Sequence, residues 1–224
     1  MWVKICANTS LEDAQLAASA GADAVGFVFA ESVRRVTPAQ VRLITPHLPA
    51  SLEKYGVFVN SGLDEIGAII DECGLTGVQL HASHDAALAQ KLRERFPGLK
   101  IIRVLHYGGD LEERLHEARQ DDAIDAVLVD SRTATLFGGT GLRFNWREAR
   151  KNFSGAEHLR LIVAGGLNPD NIAEAIETLR PWGVDVVSGV EAAPGKKDPA
   201  RLKAFIENAR IAAARAKLEA AVEA

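Results

Sequence analysis

Eight short apolar runs, each followed by a helical pattern, constrain this chain more than any other feature. They fall at residues 3–6, 24–29, 54–59, 77–81, 100–105, 126–130, 160–164 and 184–188. All are rich in Val, Ile and Leu without strict alternation, as expected of parallel strands buried on both faces. Helical patterns follow over 12–20, 38–47, 63–73, 85–96, 111–120, 169–179 and 198–214. Eight alternating units in 224 residues predict an α/β fold, an eight-stranded parallel (β/α)8 TIM barrel. An open doubly wound sheet is the alternative. It is weakened because no Gly-x-Gly-x-x-Gly follows a strand.

Nothing divides the chain. There is no Pro/Ser/Gly-rich linker and no low-complexity tract, so a single domain is expected: a barrel over 1–210 and a C-terminal helical extension over 211–224. That extension is rich in Ala, Glu, Lys and Arg, which favour helix. Apolar residues make up 47% of the chain, enough for a sizeable core, and the net charge of −4 is mild and dispersed. Such a balance argues against nucleic-acid or membrane-surface partners, which need clustered positive charge. Two cysteines make no disulfide framework. With no signal-like segment and no apolar run near the ~18 residues of a membrane span, a cytoplasmic protein is expected.

Barrels of this kind build their sites at the carboxyl ends of the strands. Those ends carry Cys6, Asn8, Arg34-Arg35, Asn60, His81, His106, Asp130, Gly165-Gly166 and Ser188-Gly189. Cys6 is either a small buried packing residue or a nucleophilic thiol. Cys73, inside a helical pattern, reads as structural. Asp130 closes the apolar run Ala126-Val127-Leu128-Val129, where a carboxylate is costly unless it faces a pocket or a partner. It is a turn cap or a functional acid. Cys6 and Asp130 would face each other across one barrel mouth, where one takes a proton while the other gives one.

The loops Gly165-Gly166-Leu167-Asn168-Pro169 and Ser188-Gly189-Val190-Glu191 follow the seventh and eighth strands. Backbone N–H groups there commonly hold a phosphate, so a phosphorylated small-molecule substrate is expected. One of Arg34 and Arg35 is expected to be merely solvated, and the other to pair with a substrate carboxylate. His81 would orient substrate or fill the mouth. No converging ligand set suggests a metal.

These residues also carry a family resemblance. Val3-Lys4-Ile5-Cys6, Leu11-Glu12-Asp13-Ala14 and Gly21-Ala22-Asp23-Ala24-Val25-Gly26-Phe27-Val28-Phe29 look like phosphoribosylanthranilate isomerase of tryptophan biosynthesis. So do Gly56-Val57-Phe58-Val59-Asn60, Val78-Gln79-Leu80-His81 and Gly138-Gly139-Thr140-Gly141. The likeness continues through Gly165-Gly166-Leu167-Asn168-Pro169-Asp170-Asn171 and Ser188-Gly189-Val190-Glu191 to Pro194-Gly195-Lys196-Lys197-Asp198.

The resemblance implies an Amadori rearrangement of N-(5-phosphoribosyl)anthranilate to 1-(o-carboxyphenylamino)-1-deoxyribulose 5-phosphate. It implies Cys6 as general base and Asp130 as general acid. Arg34, with Arg35 one place away, would hold the anthranilate carboxylate, and Asp185 the sugar hydroxyls. Gly165, Gly166, Ser188 and Gly189 would hold the phosphate. No cofactor is implied, and the assembly would be a monomer or a homodimer. To act as a base, Cys6 would need its thiol lowered by substrate-side hydrogen bonds, by Lys4 or by an arginine.

The chain departs from the family pattern at Ala7, Ala82, Leu142, Asn145 and Val187. The departures leave two other readings open. One is a diverged phosphate-binding paralogue such as a sugar-phosphate epimerase. The other is a non-catalytic barrel that binds a phosphorylated metabolite.

Overall fold

A computed structural model describes residues 1–81, 86–130, 146–153 and 159–223. Eight parallel strands close into one barrel: β1 (Trp2–Ile5), β2 (Ala24–Val28), β3 (Glu53–Val59), β4 (Gly77–His81), β5 (Lys100–His106), β6 (Ala126–Asp130), β7 (Leu161–Ala164) and β8 (Gly183–Val186). Closure comes from β8 pairing with β1, from Trp2 opposite Gly183 to Ile5 opposite Val186. The outer layer is α1 (Leu11–Ser19), α2 (Pro38–Val41), α3 (Leu63–Cys73), α4 (Ala86–Arg95), α5 (Leu111–Arg119), α6 (Trp146–Phe153), α7 (Ile172–Leu179) and α8 (Pro199–Glu223). The eight-stranded TIM barrel expected from the strand spacing is therefore the fold.

The missing alternation has a plain cause. Successive residues of each strand point to opposite faces, and here both faces are buried. Outward residues such as Val3, Ile5, Val25, Phe27, Phe58, Val127, Val129 and Val184 form the core between strands and helices. Inward residues such as Trp2, Tyr55, Ile102, Leu128 and Ile162 form a separate core inside the barrel. Trp2 and Tyr55 meet edge to face, with ring centroids 6.0 Å apart, and each donates to Glu53 Oε2 at 3.1 Å. A Cβ at Gly77 would stand 2.3 Å from Tyr55, and one at Gly183 would stand 2.8 Å from Trp2. Glycine at those inward positions lets two large rings close the barrel floor. Above them the inward positions turn polar, beginning with Lys4.

Several elements differ from the sequence expectation. The helix expected over 38–47 is a single turn, α2, followed by a 3-10 turn at Thr45–His47. Pro46 has no N–H to continue a helix, and Thr45 Oγ1 donates instead to Cys73 O at 2.6 Å. Helix α7 starts at Ile172 rather than 169, because Asn168 Oδ1 accepts from the N–H groups of Asp170 (2.9 Å) and Asn171 (3.1 Å) and holds a turn there. Strand β8 ends at Val186, and Ser188–Val190 form a 3-10 turn. An antiparallel hairpin, β9 (Glu191–Ala193) and β10 (Lys196–Lys197), follows it and was not read from the sequence. Helix α8 runs unbroken past residue 214 to Glu223.

Candidate active site

The carboxyl ends of the strands open into a cleft of about 920 Å³. Ten of the residues expected at a site line it: Cys6, Arg34, Asn60, His81, His106, Asp130, Gly165, Gly166, Asp185 and Ser188. Arg35 and Gly189 are not on its wall. Arg35 is exposed, and its backbone bridges to Val28. At Gly189 an added Cβ would lie 1.9 Å from Leu167 O. Glycine there lets the loop after β8 rest against the loop after β7.

Cys6 follows β1 directly, and its N–H donates to Val186 O at 2.9 Å. The thiol is 3% exposed. Across β1–β2, a Cβ on Gly26 would lie 2.5 Å from Cys6 Sγ and 3.2 Å from Lys4 Nζ, so glycine leaves the space in which sulfur and ammonium pack together. Lys4 has no exposure. Its Nζ donates to Gln79 Oε1 at 2.8 Å and to Asp185 Oδ1 at 3.0 Å. Burial alone would lower the Lys4 ammonium, but Asp185 and Cys6 more than offset it and raise it above the usual lysine range.

The protein groups around the thiol do not by themselves lower it. Burial pushes Cys6 above the ordinary thiol value, and the pull of Lys4 and Lys197 is insufficient to reverse it. The surroundings therefore favour the protonated thiol and make the sulfur a stronger base once ionised.

Gln79 extends the network. Its Oε1 accepts from Lys4, so its amide nitrogen donates to His81 Nε2 at 3.0 Å, which assigns the ring proton of neutral His81 to Nδ1. The His81 and His106 rings lie 6.3 Å apart. His106 pairs with Asp130 across β5–β6, and the Asp130 side chain is buried at the end of β6. Gln79 was missed by the sequence reading because it lies within an apolar run rather than at a strand end.

Arg34 reaches the wall from the loop after β2. Glu191 accepts from its Nε at 2.9 and 3.0 Å and from its Nη2 at 2.7 Å. Lys197, fully buried on β10, lies 3.4 Å from Glu191 Oε1 and donates to Cys6 O at 2.6 Å. Glu191 and Lys197 stand in family-like motifs after the last strand, but nothing in their spacing signals that they turn back to the mouth.

The two glycine loops meet at one side of the cleft. Gly165 and Gly166 take φ of 88° and 65°, a left-handed backbone that glycine adopts without steric cost. Asn171 fastens this loop, with Nδ2 donating to Gly166 O at 2.8 Å and Oδ1 accepting from Asn168 N at 2.8 Å. Ala7 also has positive φ, 59°, so the departure at this position carries a Cβ on left-handed backbone. Val187 lines the cleft. Ala82, Leu142, Asn145 and the motif 138–141 lie outside the described residues. Among the described residues no group of three or more His, Cys, Asp or Glu is arranged to hold a metal ion, and no helix is long and apolar enough to cross a membrane.

This arrangement has known counterparts. The pattern of the N-(5'-phosphoribosyl)anthranilate (PRA) isomerase family matches residues 3–208. The N-(5'-phosphoribosyl)anthranilate isomerase of Pelobacter propionicus is 44% identical over 209 residues, 93% of this chain and 95% of that one. A structure of monomers of the dimeric enzyme from Thermotoga maritima superposes with a TM-score of 0.79 at 36% identity, covering 94% of this chain and 98% of that one. A phosphoribosyl anthranilate isomerase in complex with reduced 1-(o-carboxyphenylamino)-1-deoxyribulose 5-phosphate superposes at 0.80 and 36% identity, with the same coverage. With a family pattern spanning nearly the whole barrel and relatives this similar along their full length, the chain is an isomerase and belongs to the N-(5'-phosphoribosyl)anthranilate isomerase family.

Proposed function

We propose that the chain converts N-(5-phosphoribosyl)anthranilate to 1-(o-carboxyphenylamino)-1-deoxyribulose 5-phosphate in tryptophan biosynthesis, with Asp130 as general acid and Cys6 as general base. The observation that carries the proposal is that Cys6 and Asp130, at the ends of β1 and β6, line one cleft together with Arg34 and the Gly165-Gly166 and Ser188 loops. The carboxyl proton of Asp130 passes to the ring oxygen of the aminoaldose. The furanose opens, leaving a protonated Schiff base at C1. Its positive charge favours ionisation of the Cys6 thiol, whose proton leaves to solvent water, and the thiolate then removes the proton from C2. The resulting enolamine gains a proton at C1 and loses the one on O2 to become the ketone. The iminium is the only electron sink these steps need, so they call for no cofactor and no metal.

Substrate orientation follows from the wall. Arg34 takes the anthranilate carboxylate. Backbone N–H groups at Gly165, Gly166 and Ser188 take the phosphate, and Gly189 lets their two loops meet. Asp185 and His81 take the sugar hydroxyls. The partner is a phosphorylated small molecule, and the assembly is a monomer or homodimer without nucleic acid or membrane.

Two measurements test this reading. The gene should restore growth without tryptophan to an auxotroph lacking this one step. Cys6→Ser and Asp130→Asn should each lower kcat by ~10²–10⁴, the usual cost of losing a positioned acid or base, while the reduced product analogue still binds. Near wild-type kcat in both purified variants removes the acid–base assignment.

A further inference from the structure

Arg34 meets a carboxylate before any substrate arrives. Glu191, the first residue of β9, occupies the Nε–Nη2 side of the guanidinium with contacts of 2.7 to 3.0 Å. A guanidinium has five N–H groups in a rigid plane. Glu191 therefore leaves the end edge, Nη1 and the second N–H of Nη2, with no partner among the described residues. That edge alone can take a second carboxylate in a bidentate way. The Arg34 side chain is 15% exposed, so it is held at the wall rather than free in solvent.

Glu191 is braced in turn. Gly195 N donates to its Oε1 at 3.3 Å, and the Lys197 ammonium lies 3.4 Å from the same oxygen. The Lys197 backbone N–H donates to Asp13 Oδ1 at 3.2 Å, which ties the hairpin to α1. Burial lowers the Lys197 ammonium from the usual lysine range, and the Glu191 carboxylate acts against that shift. Lys197 Nζ also holds the Cys6 carbonyl. One hairpin therefore fixes the arginine and the residue bearing the base in a common frame.

We propose that Glu191 is a positioning residue for carboxylate recognition: it holds Arg34 by one edge so that the other edge is presented to the carboxylate of the substrate's aromatic ring. The proposal rests on the reading of Arg34 given above. A preset guanidinium binds with less loss of side-chain freedom than a mobile one. Glu191 thus sets how strongly the cleft distinguishes a ligand with the o-carboxyl group from one without it.

The test is calorimetric and independent of turnover. Its probes are reduced 1-(o-carboxyphenylamino)-1-deoxyribulose 5-phosphate and the same compound lacking the carboxyl group. The quantity read is the ratio of their Kd values in wild type, Arg34→Met, Glu191→Gln and the double variant. Arg34→Met should shrink the preference for the carboxylated probe by roughly 10- to 100-fold, the range of a hydrogen bond to a charged group. Glu191→Gln should shrink it by at least about threefold, and the double variant should match Arg34→Met, because contacts that act through one another do not add.

If Glu191→Gln leaves Lys197 unpaired and fails to fold, Glu191→Asp keeps the charge but is one methylene short of the bidentate contact. It should lower the ratio in the same direction. An unchanged ratio in Arg34→Met overturns the clamp itself. A changed ratio there with an unchanged one in the folded Glu191 variant overturns only the positioning role. Equal weakening of both probes, or additive loss in the double variant, means that Glu191 acts on the pocket at large and also overturns it.

Discussion

Cys6 is pushed two ways by its neighbours. Burial raises the thiol, Lys4 and Lys197 lower it, and Asp185 raises it. Among the described residues, Gln79 and His81 on β4, Asp130 on β6 and Glu191 on β9 also face this cluster, and β2 brings Gly26 against it. Removing the ammonium with Lys4→Met should move the pH at which Cys6 is alkylated further up, and Asp185→Asn should move it down. Iodoacetamide rates against pH, in a background with Cys73→Ala, measure both. Equal midpoints in all three proteins would mean that the cluster does not control the sulfur. The sign for stability follows. The folded state holds the Cys6 proton more tightly than the unfolded chain does. This contribution is complete below the free-thiol range and is lost as pH rises through the folded-state value.

The loops after β7 and β8 meet as a pair of elements, and their residues should fail differently. Gly189→Ala places a Cβ against Leu167 O, an overpacking that typically costs ~1–3 kcal/mol and should lower the urea midpoint. Ser188→Asp puts a negative charge on the cleft wall. It should leave the midpoint within ~0.5 kcal/mol, as for a substitution that opens no cavity, and weaken competition by inorganic phosphate. Retained phosphate competition in Ser188→Asp would remove this loop from the anion site.

Helix α8 makes a separate case among the elements. We propose that residues 211–224 are an extension added to a barrel complete by residue 210. Ala212, Ala213 and Ala216 are nevertheless buried, and Arg180 Nη1 donates to Ala216 O at 2.8 Å. A chain shortened to 210 should still close its barrel and turn over substrate, with a lower Tm. Loss of all folding on truncation would make the extension part of the barrel.

Across the whole molecule the barrel divides into a solid floor and a polar mouth. Trp2 stacks on Trp182 at 5.2 Å and meets Tyr55 edge to face, sealing the end away from the cleft. Replacing a buried Trp by Ala typically costs ~3–5 kcal/mol. Trp2→Ala should show a loss of that order in denaturant titration, with KM for the aminoaldose changing little at temperatures where the barrel stays closed. A KM rise as large as that of an Arg34 variant would mean that floor and mouth are not mechanically separate.

Much of this protein was legible in its sequence, and the physical reason is local. Strands buried on both faces leave continuous Val/Ile/Leu runs, and the carboxyl end of each run marks the barrel mouth. Cys6, Asp130, Gly165, Gly166 and Ser188 could therefore be placed on one cleft without coordinates. The choice between Arg34 and Arg35 could not be made that way. It depends on a carboxylate 157 positions away that draws one guanidinium to the wall. The Lys4–Asp185 pair joins residues 181 apart, and barrel closure alone brings β1 beside β8. The return of Glu191 and Lys197 to the mouth required a hairpin with no apolar pattern of its own. The balance of protein groups on the Cys6 proton was illegible for the same reason. Its sign is set by how completely the closed barrel excludes water, and no spacing of residues records that.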